Sequence, residues 1–372
     1  MRRPPERIER LPEQYFTALL ARVAAAAAAE GEPLVDLGRG NPEVGPRAHV
    51  VRALAEAAAR PDVHGYAPFS GLPELKQAIA SRYARLYGVE LDPEREVAVL
   101  PGTKTGLMEF ALCTVERGGT IVLPDPGYPD YFSAVALAGA RSVPFSGFDR
   151  AADALYLNFP SNPTAVSAPA GMFAEAVEWA AACGAWVLHD FAYGDLVFDG
   201  RAPASFLAAE GAREVGLELF SMSKSYGMAG WRLGFAVGNG DLVRRIETLQ
   251  EHAFAGIFRP IQEAGIAALM GPQESVEERR AAYEGRRDRV LAVLGALEAQ
   301  SEGTFFVWFR LPEDVTAERV LVEHRVALAP GEGFGTRGVG WARLSLAVTD
   351  EALDLGLDRL RAAFGSRDSG LD

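Results

Sequence analysis

One lysine in this sequence lies in a segment suited to covalent chemistry. Lys224 belongs to a Ser- and Gly-rich stretch, 221–235, between two mostly apolar segments, 215–220 and 233–237, that are typical of buried strands. An ammonium group among apolar neighbours loses proton affinity, and the resulting free amine can attack a carbonyl and form a Schiff base. The alternative is a solvated lysine on a surface loop. The rest of the chain must therefore supply the other parts of a reactive site.

The residues beside this lysine narrow the chemistry. Ser221, Ser223 and Arg232 carry hydroxyl and guanidinium groups, which are donors that bind phosphate. Pyridoxal phosphate (PLP) offers an aldehyde to an amine and a phosphate to such donors. The segment therefore predicts a PLP site with Lys224 as the covalent partner.

Further polar side chains follow the ends of predicted strands. Short apolar strands alternate with helices along much of the chain, which indicates a mostly parallel α/β sheet. In such sheets, ligand-binding groups collect in the loops beyond the carboxyl ends of the strands. We therefore expect five residues at such ends to converge on one site: Thr103, Tyr128, Asn162, Asp190 and Lys224.

The first of these ends is also suited to bind an anion. Gly102, Thr103 and Lys104 follow a predicted strand at 97–100 and begin a predicted helix. The free N–H groups and the dipole of a helix start bind anions. The spacing of a Walker loop is missing, so the pattern does not predict a nucleoside triphosphate site.

Composition limits the classes of partner. The 372 residues are 49% hydrophobic and 23% charged, as in ordinary soluble proteins of two domains. A net charge of -13 argues against nucleic acid as the main partner. The alanine run 24–29 is too short to span a membrane, and the start lacks a signal-peptide core. Cys113 and Cys183 lack metal-ligand spacing, so we expect two buried free thiols, no metal and a cytoplasmic protein.

The pattern of elements divides the chain into three parts. We expect an N-terminal arm and part of a small domain in residues 1–45. A large PLP-binding domain is expected in residues 46–272. Residues 273–372 are expected to form a connecting helix, predicted over 275–300, and the rest of the small domain.

With these motifs in order, the sequence resembles the fold-type I PLP-dependent aminotransferases of class I and II over nearly its whole length. The resemblance implies an α/β fold: a mostly parallel central sheet flanked by helices in a large domain, and a smaller α+β domain from the N- and C-terminal segments. It also implies that an amino group moves between an L-amino acid and a 2-oxoacid by a ping-pong mechanism through pyridoxamine phosphate. A lyase or decarboxylase on the same fold is the alternative. A PLP-sensing regulator is disfavoured, because such proteins carry an N-terminal DNA-binding domain and the segment before the strand at 34–37 is short.

The resemblance also assigns roles to individual residues. It implies that Lys224 moves a proton as general base and acid, that Asp190 pairs with the pyridine nitrogen, and that Tyr193 and Asn162 hydrogen-bond the ring oxygen. Tyr128 is expected to stack on the ring. The implied phosphate-binding residues are Gly102, Thr103, Lys104, Ser221, Ser223 and Arg232, joined by Tyr66 from the other subunit of a homodimer.

The substrate residues follow from the same resemblance. Arg343 is expected to bind the α-carboxylate together with Asn162, Gly40 to close over it, and Tyr15 to cover the substrate. The segments 11–16, 37–42, 125–131 and 189–194 resemble the branch that contains the LL-diaminopimelate and methionine-salvage transaminases. The substrate stays open among 4-methylthio-2-oxobutanoate, aspartate and diaminopimelate-like compounds. Two residues depart from the usual pattern: Arg39, where an uncharged residue is frequent, and Ala165, where a glycine is common.

Overall fold

The protein is described by a computed structural model that covers residues 3–365. Residues 1–2 and 366–372, which the predicted terminal segments include, lie outside the described part. The helices are α1 (Glu6–Glu9), α2 (Tyr15–Ala28), α3 (Ala48–Ala58), α4 (Pro73–Tyr87), α5 (Thr103–Thr114), α6 (Asp130–Ala138), α7 (Met172–Cys183), α8 (Ala212–Val215), α9 (Met222–Ser225), α10 (Gly240–Ala253), α11 (Arg259–Met270), α12 (Glu274–Leu294), α13 (Ala317–His324) and α14 (Asp350–Phe364). The strands are β1 (Val35–Asp36), β2 (Val97–Leu100), β3 (Thr120–Leu123), β4 (Arg141–Pro144), β5 (Ala154–Asn158), β6 (Trp186–Asp190), β7 (Gly216–Ser221), β8 (Gly234–Gly238), β9 (Ala299–Gln300), β10 (Phe306–Arg310), β11 (Val326–Ala327), β12 (Ala329–Pro330) and β13 (Trp341–Ser345).

A seven-stranded sheet forms the centre of the molecule. Its strand order is β2-β8-β7-β6-β5-β3-β4, and every neighbouring pair is parallel except the two that involve β8. Strands β2, β5, β7 and β8 are buried along their whole length, as expected for a sheet covered by helices on both faces. The predicted mostly parallel α/β sheet is confirmed.

The carboxyl ends of three adjacent strands bring polar residues to one edge of this sheet. Asn158 at the end of β5 pairs in register with Asp190 at the end of β6. Ser221 at the end of β7 pairs with Gly234, where the antiparallel β8 begins. The loop between β7 and β8, which carries Lys224, therefore starts and ends at the same edge.

The N-terminal and C-terminal parts of the chain pair in a second, smaller set of sheets. Val35 of β1 pairs in parallel with Val326 of β11. A four-stranded antiparallel sheet, in the order β12-β13-β10-β9, lies nearby in the chain. Leu19 and Val23 of α2 pack in one apolar cluster with residues of this sheet and of the loop after it. The domain boundaries at residues 45 and 272 stay predictions, although the pairing of β1 with β11 agrees with them.

Two sequence expectations differ from the structure. The helix predicted over 275–300 ends at Leu294, because Gly295 adopts a positive φ of 57° that stops the helix, and residues 299–300 form strand β9 instead. Both cysteines are free thiols, but Cys183 is exposed at the end of α7 and only Cys113 is partly buried. Among the helices of residues 3–365, none is both long and apolar enough to cross a bilayer.

Candidate active site

A cavity of about 260 Å³ opens at the edge where β5, β6 and β7 end. Within the described chain, no group of three or more His, Cys, Asp or Glu residues is arranged to hold a metal ion. The cavity is lined by nine of the residues that the sequence singled out: Gly40, Thr103, Lys104, Tyr128, Asn162, Asp190, Tyr193, Lys224 and Arg343.

Lys224 lies on the short helix α9 with its amine in a partly buried, aromatic setting. The Nζ atom is 5.3 Å from the ring centroid of Phe305 and 5.7 Å from that of Tyr193. Burial, together with the positive charges of Arg343 and Arg232, lowers the pKa of Lys224 to about 8, against the opposing effect of Asp190. The lowered pKa therefore makes the unprotonated amine, which a nucleophile or a base requires, more accessible near neutral pH than for an ordinary lysine.

Asp190 is a buried carboxylate at the end of β6. Its Oδ2 accepts a hydrogen bond from the Tyr131 hydroxyl at 2.8 Å, and its Oδ1 accepts one from the Ala192 N–H at 3.2 Å. Burial raises the pKa of Asp190, while these hydrogen bonds and the nearby charges of His189 and Lys224 oppose the rise. A cationic ligand group placed at this carboxylate would stabilise its ionised form.

Asn162 and Arg343 form a pair on the cavity wall. The Arg343 Nη1 donates to Asn162 Oδ1 at 2.7 Å, and its Nη2 donates to the Gly38 carbonyl at 3.1 Å. Because a guanidinium only donates, the amide oxygen of Asn162 must face it. The Asn162 Nδ2 hydrogens are then free to donate to another group, in agreement with the predicted bond to a ring oxygen.

Arg343 is a buried cation without an anionic partner. Only 1% of its surface is exposed, and its guanidinium lies over the Phe306 ring at 3.8 Å and the Phe334 ring at 4.8 Å. No carboxylate of residues 3–365 forms an ion pair with it, and its Nε has no hydrogen-bond partner there. Burial lowers the pKa of Arg343 to about 10. A buried charge left in this state is the mark of a site that receives an anion.

A second anion-binding region surrounds the start of α5. Gly102 has a positive φ of 87°, and a Cβ atom there would lie 2.1 Å from Nη2 of Arg232, so the close approach of the guanidinium requires glycine. Lys104 pairs with Asp130 at 2.9 Å, which leaves its backbone N–H rather than its ammonium group for a ligand. The Ser221 oxygen accepts from the Ser223 N–H at 3.2 Å and keeps its own hydrogen to donate. These groups together fit a phosphate.

Six of the predicted residues do not line the cavity: Gly102, Ser221, Ser223 and Arg232 lie in the second anion-binding region, and Tyr15 and Tyr66 lie elsewhere. Tyr15 packs against Phe334 with ring centroids 5.2 Å apart and donates its hydroxyl hydrogen to the Pro330 carbonyl at 2.7 Å. The next residue, Phe16, lines the cavity in its place. Tyr66 is 88% exposed and does not contribute to the cavity of its own chain.

Sequence reasoning missed two residues that hold the site together. Tyr131 fixes the carboxylate of Asp190, and Asn158 accepts a hydrogen bond from the Asn162 N–H at 2.7 Å while donating to the Asp190 carbonyl at 2.8 Å. The signal for Asn158 was its position at a strand end, like the residues that were found. Tyr131 lies within a helix, where no comparable signal exists.

The chain matches one family model over most of its length. Residues 32–360 match the family described as "Aminotransferase class I and II".

Curated relatives and solved structures agree with this match. An L-glutamine--4-(methylsulfanyl)-2-oxobutanoate aminotransferase of Bacillus subtilis is 42% identical over 93% of this chain and 92% of its own. An LL-diaminopimelate aminotransferase of Moorella thermoacetica is 38% identical over 96% of this chain and 98% of its own. The substrate-bound structure of BacF from Bacillus subtilis superposes with a TM-score of 0.91 at 36% identity, covering 99% of this chain and 100% of that one.

Proposed function

This chain belongs to the class I and II aminotransferases, and on that premise we propose that its amino acceptor is a 2-oxoacid with an extended apolar side chain, of the type of 4-(methylsulfanyl)-2-oxobutanoate. The enzyme is a PLP-dependent aminotransferase that moves an amino group between an L-amino acid and a 2-oxoacid. The acceptor proposal is carried by one observation: Phe16, Leu19, Leu20 and Val23 of α2 line the cavity on one side.

The apolar wall favours an uncharged substrate side chain. A carboxylate or ammonium placed against the leucine and valine side chains would lose its hydration without gaining a partner from this wall. A thioether or alkyl chain gains about 0.8 kcal/mol for each methylene removed from water. Both the methylsulfanyl relative and the diaminopimelate relatives share this fold, and the wall favours the first kind of substrate.

The residues around the cavity fit PLP as the cofactor. The crowded approach of Arg232 to Gly102 and the hydroxyl groups of Ser221 and Ser223 would hold the phosphate, and Asp190 would hold the ring nitrogen. When bound, PLP supplies the aldehyde that takes up the amino group and a ring that stabilises negative charge at the substrate Cα.

We assign the proton transfers to Lys224. Its Nζ can accept the proton from the substrate Cα and later deliver a proton back, since a pKa lowered to about 8 brings both protonation states within reach near neutral pH. Arg343 would fix the substrate by its α-carboxylate, which supplies the missing anion beside the guanidinium. Gly40 leaves room beside this pair, because a Cβ there would lie 3.0 Å from Cζ of Phe306, the ring over which the Arg343 guanidinium lies.

We also propose that the enzyme works as a homodimer in which Tyr66 reaches the phosphate of the other subunit. Tyr66, Phe69, Phe254 and Phe258 are 88%, 40%, 39% and 43% exposed, and their two loops touch where Gly256 approaches the Pro68 carbonyl. An exposed group of large aromatic side chains is typical of a protein interface. The free thiols Cys113 and Cys183 favour a reducing compartment, and we propose the cytoplasm.

Mixed dimers test the proposed role of Tyr66. Tyr66→Ala and Lys224→Ala chains are each expected to be nearly inactive alone. If Tyr66 acts across the interface, a mixed dimer regains one intact site, and activity returns on co-refolding. Absence of any recovery, with mixed dimers demonstrated by mass, would place Tyr66 outside the phosphate site of the partner.

The acceptor proposal is tested with a panel of 2-oxoacids against glutamate and glutamine as donors. We expect the largest kcat/KM for 4-(methylsulfanyl)-2-oxobutanoate and other unbranched apolar acceptors. As a matched variant, Leu20→Asp should lower kcat/KM for these acceptors about 10- to 100-fold by opposing burial of the apolar chain. A preference of the wild type for oxaloacetate or a diaminopimelate-type acceptor would overturn the proposal, and a single-turnover reaction releasing ammonia or carbon dioxide would indicate a lyase or decarboxylase.

A further inference from the structure

We propose that Arg39 binds the distal carboxylate of a five-carbon dicarboxylic amino donor, in the same cavity whose apolar wall takes the side chain of the acceptor. The inference rests on the proposed function, because it names the donor class for that site. It concerns a residue that stands where the resemblance leads one to expect an uncharged side chain.

The backbone of Arg39 is held beside the carboxylate-binding arginine. The carbonyl of the preceding Gly38 accepts a hydrogen bond from Arg343 Nη2 at 3.1 Å. On the other side, a Cβ at Gly40 would lie 3.4 Å from the same nitrogen. Arg39 therefore lies between Gly38, which binds Arg343, and Gly40, which lies close to it, and Arg39 is itself exposed and lines the cavity.

Arg39 is the basic side chain of the cavity that remains available to a distal anion. Within residues 3–365 it makes no ion pair and no side-chain hydrogen bond. Lys104, which also lines the cavity, is neutralised by Asp130 at 2.9 Å. The nearby carboxylate of Asp36 accepts the Gly38 N–H at 2.9 Å and does not pair with Arg39. Arg343 itself is committed to the α-carboxylate under the proposed function.

A ping-pong reaction explains why such a residue would be exposed. Donor and acceptor occupy the same cavity in turn, so one site must take a distal carboxylate in one half-reaction and an apolar chain in the other. A carboxylate against Leu19 and Val23 would be desolvated without compensation unless a cation reaches it. The guanidinium of Arg39 can supply a bidentate partner. Because its side chain is exposed, it can also return to water when an apolar acceptor binds.

Binding of unreactive probes to the PLP-loaded enzyme tests the proposal. Glutarate has the two carboxylates of a five-carbon donor, 4-(methylsulfanyl)butanoate has one carboxylate and an apolar chain, and neither has an amino or oxo group to react. For Arg39→Leu we expect the Kd for glutarate, measured by calorimetry, to rise about 10- to 100-fold, as loss of a charged hydrogen-bonded pair predicts. The Kd for 4-(methylsulfanyl)butanoate should change less than about twofold, since that probe has no distal charge. Steady-state kcat/KM for glutamate should fall by the same factor as glutarate affinity.

The matched control is Arg22→Leu. Arg22 lies on α2, is half exposed, is 3.9 Å from Glu318 and does not line the cavity, so its loss removes the same net charge near the site. We expect this variant to bind both probes as the wild type does. Arg39→Lys should keep part of the glutarate affinity, because it retains the charge but not the bidentate geometry.

Each remaining outcome decides the question. Equal weakening of glutarate and 4-(methylsulfanyl)butanoate in Arg39→Leu, or equal weakening in Arg22→Leu, would overturn the proposal. An equal rise in the Kd for glutarate and for its monoamide in Arg39→Leu would show that Arg39 recognises a planar oxygen-bearing group rather than a charge. That result would overturn the carboxylate assignment. If Arg39 separates the probes as expected but the enzyme does not use 4-(methylsulfanyl)-2-oxobutanoate, the proposed acceptor fails while this inference stands.

Discussion

Two buried arginines of this protein have opposite surroundings. Arg82 and Arg343 are each only 1% exposed, and each guanidinium lies over a phenylalanine ring, Phe220 at 4.5 Å and Phe306 at 3.8 Å. Arg82 is paired with Asp195 at 2.5 Å and donates to the Tyr226 hydroxyl at 3.0 Å, and the charge of Asp195 raises its pKa. Arg343 has no anionic partner in the described chain, and burial lowers its pKa to about 10.

The difference separates a charge that is neutralised within the fold from one to which we assign a ligand. The charge of Arg82 is neutralised within the protein by Asp195, so it does not need a ligand anion. The charge of Arg343 is buried without being neutralised in the described part of the protein. Under the proposed function, a substrate carboxylate neutralises it. The charge of Arg343 lowers the pKa of Lys224, whereas Arg82 does not contribute to that shift.

The largest effect is expected at the lysine that responds to Arg343. Lys224→Ala removes the amine to which we assign the Cα proton transfer, and we expect a loss of at least about 4 kcal/mol of transition-state stabilisation, roughly a thousandfold in kcat. Single-turnover rates with saturating amino acid measure it. Near-normal turnover in a preparation shown by mass to be free of wild type would remove Lys224 from the mechanism.

The next largest effects are expected when each of the two arginines is replaced by leucine. Arg82→Leu leaves Asp195 buried and unpaired, so we expect a loss of about 3–5 kcal/mol in the free energy of unfolding, with little change in kcat/KM of the folded fraction. Arg343→Leu should lower kcat/KM about 100-fold or more, as loss of a buried charged contact to substrate predicts, while the unfolding free energy holds or rises. Denaturant titration and kinetics on both variants decide. If both lose stability alike, the contrast between the two arginines is wrong.

The pH dependence of stability gives a finer test. In the cofactor-free protein, the pKa of Lys224 is lowered from 10.5 to about 8, so the unfolded chain binds its proton more tightly than the folded chain. Burial of the protonated amine therefore lowers the free energy of unfolding by its full amount below about pH 8, and this loss disappears as the pH rises through 10.5. We expect Lys224→Met to be more stable than wild type at pH 7.5, with the gap narrowing by roughly 3 kcal/mol towards pH 10.5.

Arg343 contributes to this pH dependence of stability. Arg343→Gln removes one of the two cations that lower the pKa of Lys224. In that background, the stability difference between the chain with Lys224 and its Lys224→Met variant should begin to narrow at a higher pH and should narrow by less. Guanidinium unfolding at several pH values measures both effects. An unchanged gap across this range would show that Lys224 is not desolvated.

The smallest effect is expected on the turn that carries Asn162, the side-chain partner of Arg343. Ala165 on this turn is fully buried with a positive φ of 56°, a conformation that costs an L-residue about 1 kcal/mol. Ala165→Gly should therefore raise the unfolding free energy by up to about 1 kcal/mol, less the entropy that glycine loses on folding. Thermal melts should detect it, and kinetic constants should stay within twofold. A loss of activity instead would mean that the strained turn positions Asn162.

The residues at strand ends were predictable because a parallel sheet gathers them at one edge without any knowledge of packing. Asp190, Asn162 and Lys224 needed only the recognition of short apolar strands. The choice between Tyr15 and Phe16 could not be made in this way. Neighbouring residues of a helix point about 100° apart, so which aromatic faces the cavity depends on how α2 docks.

Long-range hydrogen bonds were equally out of reach. Tyr131 binds Asp190 across 59 residues, and nothing in the local pattern of either segment specifies that contact. The positive φ of Ala165 was indicated only by the glycine that is common at this position in the family that the sequence resembles, because an alanine by itself gives no sign of it. The end of α12 was missed because residues 296–300, which are Ala-Leu-Glu-Ala-Gln, all favour a helix although they follow Gly295.

The pairing of β1 with β11 has a consequence for the order in which the site is made on the ribosome. Strands β2 to β8, with Asp190 and Lys224, emerge long before Val326 and Arg343 are synthesised. The segment that carries Gly38 to Gly40 is made early, yet its strand partner is among the last parts to appear. Since domains fold as they emerge, the cofactor half of the site can be complete while the substrate half does not yet exist. A growing chain therefore cannot act on amino acids until almost all of it has been translated.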